Sequence, residues 1–409
     1  MSAVLFKNAA VLDTVAGQLR PEHDVLVVDD RITEVCDGAL TFSDARVIDV
    51  AGRVLMPGLC DGHVHVTALS ADFAALERMA PSYVASHAAG ILHSMLLRGF
   101  TTVRDAGGAD HGLARALNER LIIGPRLLYC GKALSQTGGH GDMRAPGEHH
   151  LQQCPCCCGL GRICDGVTEV RRACRDAIRT GATHIKLMVS GGVASPTDRI
   201  SSTQFADDEL NAAVEEASAA EIYCMAHAYT PRAMQRAVKA GVRSIEHGNL
   251  LDQETADLLC DTGAFLVPTL VTYRALAREG REAGLPVASL AKLQSILESG
   301  LRALELASRS GVSLVFGSDL LGPMHRHQLD EFAIRGEVQK PIDVIRSATI
   351  NAARLFDLEG EIGTVTAGAS ADLLVVEGNP LEDLGVLRDP ERHLRVIMRQ
   401  GELIRTPAN

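Results

Sequence analysis

The sequence predicts an α/β protein in which a (β/α)8 barrel carries a small β-sandwich domain formed by both chain termini. Three observations lead to this prediction. Short β-branched runs alternate with amphipathic helices through the middle of the chain, both ends consist of short alternating strands and turns, and 46% hydrophobic residues among 409 supply a large core. Aromatic residues make up 3% and Trp is absent, so we expect an aliphatic core.

Charge and hydropathy exclude two classes of partner. Forty basic residues stand against 51 acidic ones, a net charge of −11, and no Lys/Arg-rich run is present, so nucleic-acid binding is not expected. No stretch of about 18 apolar residues occurs, so no membrane span is expected. The amino terminus lacks a signal-peptide pattern, and 11 Cys in so long a chain do not indicate a disulfide scaffold. We expect a reduced, cytoplasmic protein.

The two chain ends, residues 1–56 and 364–409, share one strand-rich pattern. Apolar and polar positions alternate in AVLFKNAAVLD, HDVLVVDDRITEV and ARVIDVAGRVLMP at the start, and in GTVTAGASADLLVVEGNP and LRVIMRQGELI at the end. Neither end is long enough to close a core alone. They are therefore predicted to pair into one composite β-sandwich domain.

The middle of the chain, residues 57–363, has a different rhythm, in which strands and helices alternate. Eight strand candidates occur: LMPGLCDGHVHV, FTTVRDAG, PRLLYCG, THIKLMVSGG, IYCMAHA, RSIEHGN, AFLVPTL and VSLVFGSDL. Helices between them are predicted to end at AAG, TGA, KAG and DTG. Eight repeats predict closure into a TIM barrel, with an open doubly wound sheet as the alternative. No GxGxxG follows a strand, so dinucleotide binding has no support.

Polar residues stand at the carboxyl ends of these strand candidates. In a barrel the carboxyl ends of the strands form one rim, which carries the active site. Burial of so many polar groups at that rim costs desolvation energy, which indicates a functional role for them. The residues are His63, His65, Asp105, Lys186, His227, His247 and Asp319.

The histidines and Asp319 suit a metal centre. His63 and His65 project from one face of a strand, which suits Zn²⁺, although two ordinary hydrogen-bonded histidines would give the same pattern. His227 and His247 are weak signals singly, but each ends a successive strand, about one βα unit apart. Asp319 is either a solvated turn residue or a metal-bound carboxylate that acts as general base.

Lys186 interrupts an apolar strand that should be buried on both faces. Alone it would indicate an ion pair or a side chain that reaches solvent. Burial lowers the pKa of a lysine, and the neutral amine can capture carbon dioxide as a carbamate, which has two oxygens and a negative charge. Such a group could bridge two metal ions, provided that the histidines are metal ligands.

The order of HVH, the fourth-strand Lys, AHAY, EHGN and GSD resembles that of the metal-dependent amidohydrolase superfamily, over nearly the whole chain. The stretch ATINAARLFDLEGEIGTVTAGASADLLVVEGNPL is similar to the one where such proteins leave the barrel and re-enter the small sheet domain. GGHGD, KLMVSGGVASPTD, AHAYTP, IEHGNLLD and PTLVTY are more similar still to its prolidase-like carboxypeptidase branch, which is related to ochratoxin amidohydrolases.

This resemblance implies a binuclear site with two divalent ions, Zn²⁺ above others. His63, His65 and Asp319 would bind the first ion, His227 and His247 the second, and carboxylated Lys186 would bridge them. A bridging hydroxide would attack the amide carbonyl, while Asp319 takes its proton and passes it to the leaving nitrogen.

Two further residues acquire roles through the resemblance. His140, in a Gly-rich loop after the third strand, would face the scissile carbonyl and donate to the developing oxyanion. Tyr229 would contact the substrate carboxylate. The cluster Cys154, Cys156, Cys157, Cys158 and Cys164 has the wrong spacing for paired zinc knuckles, so we expect a loop that flanks the active-site mouth and no catalytic role.

The resemblance implies an amide hydrolase that releases a hydrophobic or prolyl C-terminal residue from dipeptides or N-acyl amino acids, a class that extends to ochratoxin A. The alternative is a hydrolase of xenobiotic ureas, carbamates or anilides on the same metal centre. A barrel that binds metal or a partner without catalysis is a third hypothesis, which the full ligand set disfavours. A small-molecule substrate and a homo-oligomer are expected.

Overall fold

The computed structural model describes residues 2–149 and 158–406. Strands and helices alternate along most of this chain, which makes it an α/β protein. The strands are β1 Ala3–Asp13, β2 Gln18–Val28, β3 Arg31–Asp37, β4 Arg46–Asp49, β5 Val54–Pro57, β6 Leu59–Val64, β7 Phe100–Asp105, β8 Arg126–Tyr129, β9 Ala133–Ser135, β10 Gly161–Ile163, β11 His184–Met188, β12 Tyr223–Ala228, β13 Ser244–His247, β14 Phe265–Val267, β15 Ser313–Leu314, β16 Leu373–Val376, β17 Leu394–Arg399 and β18 Glu402–Arg405.

The helices lie mainly between the strands of the middle part. They are α1 Phe73–Leu76, α2 Pro81–Leu97, α3 His111–Asn118, α4 Gly166–Arg179, α5 Asp207–Ala219, α6 Pro231–Ala240, α7 Gln253–Thr262, α8 Leu270–Glu279, α9 Val287–Ser310, α10 Asp330–Gly336, α11 Pro341–Ser347, α12 Ile350–Leu355 and α13 Pro390–His393, with 3₁₀ helices at Gly322–His327 and Leu384–Leu387. None of the helices in the described ranges is long and apolar enough to cross a membrane.

Both chain ends contribute to one eight-stranded sheet. Its order is β18-β17-β16-β5-β1-β2-β3, and β4 pairs with β1. The two ends meet where β16 runs antiparallel to β5, with Leu373 opposite Pro57 and Val376 opposite Val54. An aliphatic cluster that includes Val11, Leu55 and Val375 is buried against this sheet. The sandwich architecture and the domain bounds 1–56, 364–409 and 57–363 stay predictions.

Contacts divide the chain into two compact units. One contains Met1–Asp61, His93–Thr102 and Phe332–Asn409, and the other contains Gly62–Leu92 and Val103–Glu331. The second unit contains all the residues that the sequence predicts for the metal site.

The eight predicted strand segments each contain an observed strand. Parallel pairing joins seven strands in the order β10-β9-β11-β12-β13-β14-β15, and three more form β6-β7-β8. The prediction missed β9 and β10, because strands of three residues carry no alternation pattern. LMPGLCDGHVHV, predicted as one strand, contains the end of β5 and then β6, because Leu55–Pro57 pairs with β16.

Backbone hydrogen bonds continue between these two sheets inside the second unit. Gly62 N donates to Phe316 O at 2.7 Å, and Asp319 N donates to His63 O at 2.8 Å. Thr183 N, just before β11, donates to Tyr129 O at 2.9 Å. A Cβ atom on Gly62 would lie 2.8 Å from the Val315 side chain, so this close approach requires glycine.

Of the helix ends predicted from the sequence, one is wrong. Gly241 and Gly263 stand in the left-handed conformation directly after α6 and α7, as KAG and DTG predict. The end predicted at AAG is wrong, since Gly90 lies inside α2. Leu92 and Leu96 beyond it are fully buried, and that burial outweighs the cost of a helical glycine, about 0.5–1 kcal/mol.

Candidate metal centre

Five strands bring the predicted residues to one cavity. His63 lies next to the end of β6 and His65 follows that strand, while Lys186 is the middle residue of β11. His227 lies next to the end of β12, His247 ends β13 and Asp319 follows β15. The register is parallel, with Met188 opposite His227 and Ala228 opposite His247, so these carboxyl ends share one edge. The cavity is lined by His63, His65, Lys186, His227, His247 and Asp319.

His63, His65 and Asp319 form the tightest group. Asp319 Oδ1 lies 3.3 Å from Nε2 of His63 and 3.3 Å from Nε2 of His65. The possible ligand atoms of all three residues lie within 4.8 Å of one another. Asp319 adopts a left-handed backbone conformation with φ of +51°, which costs energy for a non-glycine residue and is typical of functional sites.

His227 and His247 extend this group to a second set of donors. Their ring centroids are 4.7 Å apart, and the centroid of His247 lies 5.1 Å from that of His63. His247 Nδ1 lies 3.9 Å from Asp319 Oδ2. The backbone of His247 is also strained, with φ of +75°.

Each of the four histidines has one ring nitrogen engaged by the protein. Nδ1 of His63 contacts Glu246 Oε2 at 2.7 Å, and Nδ1 of His65 contacts Gly107 O at 2.9 Å. These oxygens only accept, so each Nδ1 carries a proton, and in the neutral ring it is Nε2, on the side of Asp319, that offers a lone pair to a metal.

The other two histidines are held in a similar manner. Nε2 of His227 contacts Gly191 O at 3.1 Å, so its Nδ1 has the lone pair, while Nδ1 of His247 contacts Thr269 Oγ1 at 2.8 Å. Protein groups that hold the remote nitrogen of a metal-binding histidine are a common feature of metal sites. This arrangement and the carboxylate of Asp319 together fit a divalent transition metal such as Zn²⁺.

A buried ion pair behind His63 escaped the sequence analysis. The Arg104 guanidinium donates to Glu246 Oε1 at 2.9 Å and to Gly62 O at 2.7 Å, and both charged side chains are fully buried. Burial alone would raise the pKa of Glu246, but Arg104 and His63 hold that pKa well below its usual value. The sequence did contain a signal for this ion pair, because Arg104 is a charged residue inside an apolar strand, as Lys186 is.

The surroundings of the cavity lower the pKa of both Asp319 and Lys186. Burial alone would raise the pKa of Asp319, but His63, His65 and His247 hold that pKa well below its usual value. Burial lowers the pKa of Lys186, whose side chain is 1% exposed. Within the described ranges Lys186 forms no salt bridge, so its amine faces the cavity without a carboxylate at ion-pair distance.

His140 and Tyr229 lie in the same cavity, next to His227. The His140 ring stacks on the His227 ring, with centroids 4.2 Å apart and planes 22° apart. The Tyr229 ring lies edge-on to His227 at 4.8 Å, and its hydroxyl accepts a hydrogen bond from Tyr273 at 3.1 Å. The remaining wall is largely apolar and includes Phe73, Met143, Leu160, Met188, Leu276 and Leu285.

The sequence analysis also singled out Asp105 and the clustered cysteines, of which Asp105 and Cys164 lie outside the group of residues at the cavity. Asp105 does not line the cavity, since its carboxylate accepts hydrogen bonds from three backbone N–H groups, those of Val66, Gly107 and Ala109. It therefore organises the turns after β6 and β7. Among the clustered cysteines, Cys154, Cys156 and Cys157 lie outside the described residues, while burial raises the pKa of Cys164 to about 12, typical of an inert thiol.

Comparison with known proteins gives one family and several relatives. The model of the amidohydrolase family matches residues 54–406. The ochratoxinase of Aspergillus niger is 35% identical over 369 residues, which are 87% of this chain and 76% of that protein.

Solved structures match along the full chain, and two of them illustrate the similarity. The crystal structure of a prolidase complexed with N-methylphosphonate-L-proline is 48% identical, has a TM-score of 0.97, and covers 99% of this chain and 100% of that one. An amidohydrolase crystal structure is 46% identical, has a TM-score of 0.98, and covers 100% of both chains.

Proposed function

The chain belongs to the amidohydrolase family, and from this premise we propose that it is a metal-dependent hydrolase that releases a hydrophobic or prolyl C-terminal residue from dipeptides or N-acyl amino acids. One observation carries the proposal: four histidines, Asp319 and Lys186 converge on a single cavity whose wall is otherwise largely apolar. The relatives named ochratoxinase and prolidase support amide bonds next to a C-terminal residue as the substrate class.

The proposal includes a closed barrel. The seven-stranded and three-stranded sheets supply ten strands, and the hydrogen bonds from Gly62 to Phe316 and from Thr183 to Tyr129 support one continuous ring. The proposed composite domain of both termini is supported by the eight-stranded sheet that they share. In a barrel of this kind the carboxyl ends of the strands carry the active site, in agreement with the location of the cavity.

The cavity would hold two divalent ions, for which we propose Zn²⁺. His63, His65 and Asp319 would hold one ion, His227 and His247 the other, and a carbamate on Lys186 would bridge the two. When bound, such a pair of ions lowers the pKa of water and polarises a carbonyl. Burial, which lowers the pKa of Lys186, supports carbamate formation, because carbon dioxide reacts with the neutral amine.

Residues of the chain would supply the remaining steps. Asp319, with its carboxylate 3.3 Å from two imidazoles, would take the proton of the attacking water and transfer it to the leaving nitrogen. His140 would contact the substrate beside the scissile carbonyl. No covalent nucleophile is required in this scheme.

Tyr229 would bind the substrate carboxylate through a neutral donor. Its hydroxyl oxygen accepts from Tyr273, which leaves the Tyr229 proton available to a ligand, and burial raises the pKa of Tyr229, so it stays a donor. Of the lining residues that the structure describes, none is an arginine that could take this role. The apolar wall would enclose the side chain of the released residue.

The test is a substrate panel assayed with metal-loaded and metal-stripped enzyme. Xaa-Pro and Xaa-Phe dipeptides, N-acetyl amino acids and ochratoxin A should be hydrolysed only by the loaded enzyme, and carboxyl-amidated counterparts should react far more slowly. Hydrolysis of neutral phenylureas or amidated peptides as fast as free dipeptides would favour the xenobiotic-hydrolase alternative. Full activity in the metal-stripped enzyme would contradict the proposal.

A further inference from the structure

A largely buried polar cluster contacts Nδ1 of His140. It consists of Ser195, Asp198, Gln204 and Lys292, which we call the Ser195 cluster. His140 Nδ1 lies 2.8 Å from Ser195 Oγ, and the Ser195 hydroxyl in turn donates to Asp198 Oδ1. Ser195 is 1% exposed and Asp198 is 8% exposed. The proposed mechanism uses none of these residues.

The hydrogen bonds around Asp198 define it as an acceptor. Its Oδ1 accepts from the Ser195 hydroxyl and from Lys292 Nζ at 3.1 Å. Its Oδ2 accepts from Gln204 Nε2 at 2.9 Å and from Gly192 N at 3.3 Å. Four donors, one of them an ammonium group, surround a carboxylate that has no proton of its own to give.

The direction of the next hydrogen bond follows from this. A serine hydroxyl has one proton, and the charge-assisted bond to Asp198 is stronger than the alternative bond to Gly192 O at 3.3 Å. Ser195 Oγ therefore has only lone pairs left for His140, so the Nδ1 atom of His140 carries the proton. A neutral imidazole has one N–H, and Nε2 is then a lone-pair acceptor.

The ring of His140 is also fixed in orientation. The ring stacks on His227, and it also packs against Gly192, where a Cβ atom would lie 2.0 Å from the imidazole. Lys292 holds the backbone of the same loop, because Nζ donates to Gly192 O at 3.0 Å and to Ser195 O at 2.8 Å. In the described part of the chain, Nε2 of His140 has no hydrogen-bond partner, and His140 lines the cavity.

We infer that Ser195, anchored by Asp198, is a positioning residue that accepts from Nδ1–H of His140 and thereby selects, for the neutral imidazole, the tautomer with Nε2 as an acceptor toward the substrate. This inference deepens the proposed function and rests on it for the identity of the substrate. It differs from the oxyanion-donor role that the family resemblance implies for His140. A neutral His140 in this state meets an N–H or O–H group beside the scissile carbonyl.

The tautomer can be measured without a substrate. In zinc-loaded enzyme labelled with ¹⁵N-histidine, the shifts of protonated and unprotonated ring nitrogens differ widely, and His140→Gln identifies the signals of His140. We expect a protonated Nδ1 and an unprotonated Nε2 in the wild type, and a mixture of tautomers in Ser195→Ala. A protonated Nε2 in the wild type would overturn the inference, whichever substrate the enzyme hydrolyses.

Kinetics provide the second measurement, on the best substrate that the panel yields. Ser195→Ala should lower kcat by about 3- to 10-fold, the loss expected for one neutral hydrogen bond, with a smaller change in KM and full metal content. Ser195→Thr, which keeps the hydroxyl, should restore most of kcat. Ser201→Ala removes an exposed hydroxyl of the same loop and should change nothing. Wild-type tautomer and kcat in Ser195→Ala would contradict the positioning role, and a variant that fails to fold leaves the wild-type tautomer to decide.

Discussion

Glu246 Oε2 lies 2.7 Å from Nδ1 of His63, and both side chains are at most 1% exposed. The same carboxylate accepts from Arg104, so Arg104, Glu246 and His63 form one series of buried hydrogen bonds. A carboxylate hydrogen-bonded to the remote nitrogen of a metal-binding histidine sets its tautomer and raises its basicity. The contact with Glu246 would therefore control how strongly His63 binds a metal.

Glu246→Gln should weaken zinc binding by about 10- to 100-fold, the typical loss when a residue that orients a metal-binding histidine is replaced. It should also lower the free energy of unfolding by about 3–5 kcal/mol, because the Arg104 guanidinium is left buried without its counter-charge. Competitive zinc titration and denaturant unfolding measure the two effects. Glu254→Gln, at an exposed position of α7, is the matched control. Unchanged zinc affinity in Glu246→Gln would refute the coupling.

Lys186→Ala should lose bound metal and activity, because the proposed carbamate would supply two oxygens to the pair of ions. Acetate or formate at high concentration should restore part of both, since a free carboxylate offers the same oxygens. Elemental analysis and hydrolysis assays follow the two quantities, and Lys239→Ala at the exposed end of α6 serves as control. A high-resolution map of the metal-loaded enzyme with an unmodified Lys186 amine would disprove the carbamate.

Two ions per chain are expected after growth in zinc-supplemented medium, because six convergent side chains exceed the four ligands of one tetrahedral ion. Elemental analysis of the purified protein gives the stoichiometry directly. Full activity at one ion per chain or fewer would rule out the two-metal scheme.

Tyr229→Phe should raise KM more than it lowers kcat, because a contact with the substrate carboxylate is present in both the ground state and the transition state. Amidation of that carboxylate should slow the wild-type enzyme strongly and the variant little. Tyr83→Phe, at a position that is 54% exposed, is the control. Equal sensitivity of variant and wild type to amidation would show that Tyr229 does not contact the carboxylate.

Gly192→Ala should lower kcat by more than Ser195→Ala does, because the added Cβ would overlap the His140 ring at 2.0 Å and force it to move. Metal content should stay unchanged if only the imidazole moves. Gly147→Ala, where a Cβ would meet nothing within 4 Å, is the control. Wild-type kcat in Gly192→Ala would mean that the orientation of His140 does not matter for turnover.

Local sequence determined the α/β class, the eight strand segments and the residues that the cavity brings together. Alternation of apolar residues over four to six positions is a local property. A polar residue inside an apolar run, such as Lys186, or at the end of one, such as Asp319, is visible without knowledge of its spatial neighbours. Where a local signal failed, as at Gly90 in α2, burial of the residues that follow outweighed the preference of one residue.

Tertiary structure alone decided which groups contact one another. Glu246 contacts His63 across 183 positions of sequence, and Lys292 donates to Asp198 across 94 positions. The tautomer of each histidine depends on whether its partner can accept or donate, and that partner comes from a distant segment. Hydrogen bonds need atoms within about 3 Å in the correct direction, a condition that only the assembled strands and loops satisfy.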